Sequence, residues 1–328
     1  MKRIIFAICT ILCANVLFAQ EQLAVLKHND STSVFYGANA FVQAYNAAAN
    51  GDIITLSDGI FTAPGSSILR LEKEITVRGN GAVPDTSRRS SGTYFLGPVY
   101  TLRNIDFQGI YFSELRLYDL RTIKLTKCFV RFVDNYDRST LYANNCVIAG
   151  ILDNNSLTST FINCVLYGTY NWNSTPHYEL PQSANCTNCI IKGDDHLLTS
   201  SGISQFNNCI IINTDTTDNV LNAAVNNSVL IGWTGSNSPV SSGNVVMSLS
   251  DVFENWDGTG FPTDLETYVL KSSVSDSIQG LDGSEVGIFG GFMPFDWRPS
   301  YSVIKRFNVA NRTTADGKLS VDIEVISE

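Results

Sequence analysis

The stretch ANNCVIAG, residues 143–150, is followed by FINCVLYG at 161–168, CTNCIIKG at 186–193, FNNCIIIN at 206–213 and VNNSVLIG at 225–232. Each copy writes Asn, then Cys or Ser, then a short aliphatic run, then a small or turn-forming residue. Ser228 stands where Cys146, Cys164, Cys189 and Cys209 stand in the other copies. Backwards, Lys127-Cys128-Phe129-Val130 fits, as do Asn104-Ile105-Asp106-Phe107-Gln108-Gly109 and Glu74-Ile75-Thr76-Val77-Arg78-Gly79. Forwards, Asn244-Val245-Val246-Met247 fits. From Ile75 the steps are 30, 23, 18, 18, 25, 20, 19 and 17 residues. Self-similarity at a period near 20 is the mark of a solenoid.

The unit is a strand. Cys146 and Ile148 fall on one side and Val147 on the other, and Val, Ile, Thr, Phe and Tyr dominate. A coil of this length holds two or three strands, and successive coils stack about 4.8 Å apart as parallel sheets. Stacking gives the asparagines a purpose. A column of amides can hydrogen-bond along the axis, and Asn tolerates the left-handed backbone of a sharp bend. The predicted ladder is Asn104, Asn145, Asn163, Asn188, Asn208, Asn227 and Asn244, interrupted by Lys127 and Glu74. A parallel column is predicted for Cys128, Cys146, Cys164, Cys189 and Cys209. A buried thiol behaves as a small apolar group, and Ile75, Ile105, Ser228 and Val245 fill the same slot elsewhere. Free buried thiols are therefore expected, with disulfides between stacked neighbours as the alternative.

The chain opens MKRIIFAICTILCANVLFAQ, with basic Lys2 and Arg3, an apolar run from Ile4 to Phe18, and small Ala19. This is the pattern of a secretory signal peptide over residues 1–19, with a membrane anchor and lipidation at Cys13 as weaker readings. No later run is long and apolar enough to span a bilayer. The formal charge of −9 argues against a nucleic-acid binder. It also argues against unaided binding of polyanionic glycans, which would need a bridging Ca²⁺.

Further residues carry a resemblance. Gly37-Ala38-Asn39-Ala40-Phe41, an amphipathic stretch with Phe41, Ala44, Tyr45 and Ala48 on one face, then Gly51-Asp52-Ile53-Ile54-Thr55-Leu56 with Gly59 and Phe61, resemble the opening of the pectin-lyase-like superfamily. Tyr268-Val269-Leu270-Lys271, then Gly280 and Asp282-Gly283-Ser284-Glu285-Val286-Gly287-Ile288-Phe289-Gly290-Gly291, resemble the closing coil of exported proteins from Bacteroidetes-type bacteria. The resemblance spans roughly residues 36–297. It implies an all-β, single-stranded, right-handed parallel β-helix of roughly ten coils with an N-terminal helical cap, over residues 20–301. Residues 302–328 read as a C-terminal β-hairpin, because two alternating runs flank Asp316-Gly317.

The superfamily's lyases use acidic Ca²⁺ ligands and an Arg or Lys base. In that role Asp134, Asp137 and Asp153 stand as acids and Arg116, Arg121, Lys124 and Arg131 as bases, against the plainer reading of a solvated face. The polygalacturonase-type pieces Asn213-Thr214-Asp215, Gly193-Asp194-Asp195-His196 and Arg121-Thr122-Ile123-Lys124 occur in reversed order without Gly-His-Gly. Order along a solenoid is order along its axis, so they do not rebuild that site. Asp194, Asp195 and Asp215 remain as candidate paired carboxylates for glycoside hydrolysis, against a role as turn formers. Cys186-Thr187-Asn188-Cys189, near His177 and His196, has the spacing of a zinc or redox motif, against Cys189 as a ladder residue and Cys186 as its neighbour.

The step from Cys164 to Cys189 is about seven residues longer than its two predecessors. The excess includes Tyr170, Trp172, His177 and Tyr178, and aromatic rings suit the apolar faces of sugars. The alternative is a loop that folds its aromatics onto the solenoid. Trp233, Trp256 and Trp297 are expected to seal the open end of the core. The leading expectation is an exported, monomeric, non-catalytic protein, periplasmic, cell-surface or secreted, that binds glycans or serves adhesion. A polysaccharide lyase or glycoside hydrolase, with Ca²⁺ if a lyase, and a structural component of an envelope assembly are the alternatives.

Overall fold

The computed structural model describes residues 22–63, 68–82, 92–135, 138–153, 159–167, 171–172, 175–176, 183–193, 204–213, 223–233, 243–257, 265–296, 303–309, 313, 316–318 and 321–326. They form a parallel β-solenoid with two long sheets, of 11 and 13 strands. One coil shows the plan. Thr140–Asn144 runs in the first sheet, the chain bends at Asn145, and Val147–Ile148 and Ile151–Asp153 run in the second. Each strand pairs in parallel with its counterpart one coil away. Leu141 lies beside Ile123, for example, and Val147 beside Phe129 and Val165.

The bend explains the repeated Asn. Gly109, Lys127, Asn145, Asn163, Asn188, Asn208 and Asn227 all sit at the same corner, with φ between 47° and 63°. This left-handed region is strained for most side chains and least so for Gly and Asn. Seven corners of one kind make a solenoid of about seven turns rather than ten. Counting repeats overstates the number because the ends are built differently. The first segments bend at Ser57-Asp58 and Gly79-Asn80, and after Asn244 the chain gives one strand to the second sheet and leaves as helix Leu249–Val252.

Two ladder assignments move for the same reason. Ile105 is in register with Ile123 and Leu141, so Asn104 starts a first-sheet strand and Gly109 holds the corner. Val245 is in register with Val229, which places Asn244 in the cysteine column beside Ser228. There its Oδ1 accepts from the Ser228 N–H at 3.0 Å. Ser228 Oγ does the same for the Cys209 N–H at 3.0 Å, and Cys146 Sγ for the Cys128 N–H at 3.4 Å. A match centred on the apolar run confuses these columns, because both strands of a coil contain such a run.

Cys128, Cys146, Cys164, Cys186, Cys189 and Cys209 are all buried and unpaired. Burial pushes the thiols of Cys128, Cys146, Cys164 and Cys189 well above their ordinary value. Cys186 lies one inward column away, between Phe161 and Phe206.

Inward residues of both sheets form the interior core, with Phe107, Phe112, Phe161 and Phe206 among its largest members. A second apolar layer lies outside it. Phe129, Val147, Val165, Ile190, Ile210 and Val229 point outward from the second sheet, yet each is buried. They are covered by Val252, Phe253, Trp256, Tyr268, Leu270 and Val274, and further on by Ile278, Val286, Ile288 and Phe295. Trp256 belongs to this lateral layer, edge-on to Phe253 at 5.1 Å, whereas Trp233 joins the interior core; Trp297 lies outside the described residues.

The segment expected to form a closing coil is instead an axial strap. Residues 279–296 cross the asparagine corners in reverse order, from Asn227 back to Lys127. Asn227 Nδ2 donates to the Gln279 carbonyl at 3.4 Å, and the Leu281 N–H donates to Asn208 Oδ1 at 2.9 Å. Asn163 Nδ2 donates to the carbonyls of Ile288 and Gly290, both at 2.8 Å. The Asp296 N–H donates to Asn145 Oδ1 at 2.8 Å, and Lys127 Nζ lies 3.6 Å from Asp296. Within the column itself, Asn208 Nδ2 donates to Asn188 Oδ1 at 3.1 Å.

At the N-terminal end, Leu23–His28 pairs antiparallel with Ser31–Tyr36 and with Ile53–Leu56. Asp52 fastens this hairpin through His28 Nδ1 at 2.8 Å. Helix α1 (Ala40–Ala47) buries Phe41 and Ala44, and the Phe41 ring meets Phe95 edge-on at 4.9 Å. Val303–Val309 pairs antiparallel with Val321–Ile326, with a bulge between Ile304 and Arg306. Residues 1–19 lie outside the described residues.

Candidate functional site

Among the described residues, the outer face of the first sheet has no apolar cover. Its strands alternate inward apolar and outward polar residues: Thr122-Ile123-Lys124-Leu125-Thr126 buries Ile123 and Leu125 and leaves Lys124 exposed. Because the coils are in register, the outward residues form straight columns. The central one reads Thr76, Asp106, Lys124, Tyr142, Thr160, Asn185 and Gln205. Each member lies one strand spacing, about 4.8 Å, from the next. Tyr142 is 46% exposed, a large ring held on a rigid strand between Lys124 and Thr160.

Beside the Lys124 end is an open cleft of about 390 Å³, lined by Glu74, Thr76, Asn104, Asp106, Thr122 and Lys124 over a floor that includes Ile75 and Ile105. Its polar groups are partly tied together. Arg78 Nε donates to Gln108 Oε1 at 3.2 Å, and Gln108 Nε2 donates to Asp106 Oδ2 at 3.1 Å. The Thr122 N–H donates to Asn104 Oδ1 at 2.9 Å. Asp106 Oδ1 is shielded from solvent and, among the described residues, accepts no hydrogen bond, an unfavourable state for a carboxylate oxygen. The wall thus offers carboxylates, an amide, hydroxyls and one exposed ammonium, a mixture suited to a polyhydroxylated ligand.

A second charged cluster lies on the second sheet. Arg70, Tyr100, Arg116 and Asp134 are in register there. Arg116 donates to Glu114 through Nε and to Tyr100 Oη at 2.7 Å, and lies 3.9 Å from Asp134. Its guanidinium stacks over the Tyr100 ring at 5.1 Å. These contacts join side chains of successive coils and work as a fastener between them. They join Arg116 and Asp134 from the lyase candidates. Lys124 belongs to the other sheet, and Arg131 lies exposed between strands of the second. Arg121 sits before the first-sheet strand Thr122–Thr126. Asp137 and the Asp153 side chain lie outside the described residues. Among the described residues no three His, Cys, Asp or Glu side chains group as a metal site.

Asp194, Asp195 and Asp215 lie outside the described residues, as do Tyr170, His177 and Tyr178. Trp172 falls in Asn171–Trp172, which pairs antiparallel with Thr175–Pro176; its side chain is outside the described set. Sequence reasoning missed the column of Asp106, Lys124 and Tyr142. Its signal was the middle residue of each alternating first-sheet strand, as in Lys124 and Tyr142 at equal places in TIKLT and TLYAN. No family model matches this chain, and no curated protein or solved structure matches it either.

Proposed function

We propose that this protein is an exported, non-catalytic β-helix of the right-handed, pectin-lyase-like kind that binds glycans at the cell surface through the bare face of its first sheet. One observation carries the reading: Tyr142 is exposed on a rigid strand, in line with Lys124 and Asp106 at the cleft. An exposed ring offers a platform for the C–H face of a sugar, and the flanking polar groups meet its hydroxyls. Glu74 and Asp106 make the cleft a poor host for uronates and a better one for neutral glycans.

The test is calorimetric titration with neutral glycans and uronates, with and without Ca²⁺, alongside assays for unsaturated uronate and new reducing ends. Binding of a neutral glycan without products is expected, weakened at least about tenfold by Tyr142→Ala, a loss of about 1.4 kcal/mol. Product release, or binding unchanged by both Tyr142→Ala and Lys124→Ala, would overturn the reading. Export is tested separately by cell fractionation and by the mass of the mature N-terminus, expected at Gln20.

A further inference from the structure

The asparagine corners do more than bend the chain: their side chains read a polypeptide backbone. The hydrogen bonds that tie the Asn145, Asn163, Asn208 and Asn227 side chains to the strap go to its main-chain atoms. They reach the carbonyls of Gln279, Ile288, Gly290 and Met293 and the N–H groups of Leu281 and Asp296. An amide offers both donors and an acceptor, so a column of them can hold an extended segment whichever way its peptides point. The strap is not a strand of either sheet. Replacing it breaks no sheet ladder.

Its composition matches the groove. A Cβ on Gly290 would meet the strap's own Glu285 carbonyl oxygen at 1.6 Å and Asn188 Nδ2 at 2.7 Å, one on Gly291 would meet Asn188 Nδ2 at 2.6 Å, and one on Gly280 would come within 2.9 Å of Asn208. A Cβ on Gly287 would meet Ile210 at 2.8 Å. Glycine is thus present where the strap lies against the corners and, at Gly290, where it also folds against its own Glu285 carbonyl. Val286 and Ile288 between these points, and Phe295 beyond them, fill the apolar strip beside the corners. The groove is selective for glycine spacing, for apolar residues beside the glycines and, at the Lys127 corner, for the Asp296 carboxylate 3.6 Å away; its asparagine side chains contact main chain.

We propose that this corner groove is a polypeptide-binding site, filled in cis by residues 279–296, and that the partner it fits is a second copy of this chain supplying the same segment. A second copy carries the required glycine and apolar pattern by identity. In the unmodified chain the tethered strap competes at high effective concentration and keeps the groove closed. Loosening the strap while leaving the groove intact should open it to a strap in trans.

The probe is a labelled synthetic peptide of residues 279–296, titrated into the full chain and into a full-length Gly290→Ala/Gly291→Ala variant. The variant should bind the peptide at least about tenfold more tightly than the unmodified chain. Adding Asn163→Ala to it should reverse the gain, and a peptide carrying the same two Ala substitutions should not bind. If the double variant does not keep the β circular dichroism signature, Gly280→Ala alone serves as the milder loosened chain. A folded, loosened chain with no gain in peptide affinity, or with a gain indifferent to Asn163→Ala, would overturn the site. For the partner, the loosened chain is mixed with a full-length Asn163→Ala chain, which keeps a normal strap over a damaged groove. A one-to-one dimer on size-exclusion chromatography is expected; peptide binding without that dimer would overturn the second copy as occupant.

Discussion

In the first sheet Tyr142 points outward and is 46% exposed; five residues later, in the second sheet, Val147 also points outward and is 2% exposed. The two positions belong to one coil with one backbone plan. They differ in what packs against them. The first-sheet face presents Lys124, Tyr142, Thr160 and Asn185 to solvent. The second-sheet face presents Phe129, Val147, Val165 and Ile190 to a lateral apolar layer and the strap. A strand apolar on one side is complete with one core, whereas a strand apolar on both sides needs a second. The C-terminal segment supplies that second core, and among the described residues nothing of the kind packs on the first face.

The largest expected effect strikes the interior that both faces share. Cys128, Cys146, Cys164 and Cys189 are held neutral by burial, above an ordinary value of 9.0. Unfolding lets them ionise. Their contribution is therefore complete below about pH 9 and is lost as pH rises above it, at about 1 kcal/mol per pH unit for each thiol. Urea midpoints at pH 7, 9 and 10 should be level at first and then fall steeply. A midpoint at pH 10 equal to that at pH 7 would mean the thiols do not stay buried and neutral.

Next comes the contrast itself. Ile190→Ala, in the outward column under the cover, should cost about 2–4 kcal/mol, because it opens a cavity between two packed layers. Thr160→Ala on the bare face should stay within about 0.5 kcal/mol. Similar costs at the two sites in chemical denaturation would erase the distinction between faces. A finer contrast compares two asparagines. Asn163→Ala removes the amide donor from the Ile288 and Gly290 carbonyls, the former keeping the Phe295 N–H, and should cost about 1–3 kcal/mol, while Asn185→Ala should be nearly neutral. Hydrogen exchange at Ile288 to Gly291 is the sharper measurement, since a faster rate there with an unchanged core would show the strap released alone. Smallest in stability is Tyr142→Ala, expected within about 0.5 kcal/mol, with its effect confined to glycan affinity.

Much of the fold was legible because stacking writes itself into the chain. A corner that demands positive φ recurs once per coil, and the Asn residues at 145, 163, 188, 208 and 227 mark it. Inward and outward sides were legible too: Cys146 and Ile148 lie in the interior core and Val147 in the other layer. The register was harder at the ends. Asn104 and Asn244 sit next to apolar runs like the others, and only the pairing of Ile105 with Ile123 and of Val229 with Val245 assigns them to other columns. The cleft was hidden because Glu74, Asn104, Asp106 and Lys124 are up to 50 residues apart in the chain and adjacent only across coils.

The sequence by itself determined that this chain stacks, that Asn145, Asn163, Asn188, Asn208 and Asn227 turn its corners, and which sides Cys146, Val147 and Ile148 take. Those are local demands, set by φ and by alternation, and they repeat every coil. Only the tertiary structure decided what covers the outside. The tail Asp282-Gly283-Ser284-Glu285-Val286-Gly287 reads as one more coil, yet it runs along the axis, because the asparagine amides and the apolar column of the second sheet are already aligned to receive it. That choice depends on groups separated by 52 to 151 residues, and no local pattern records such a meeting.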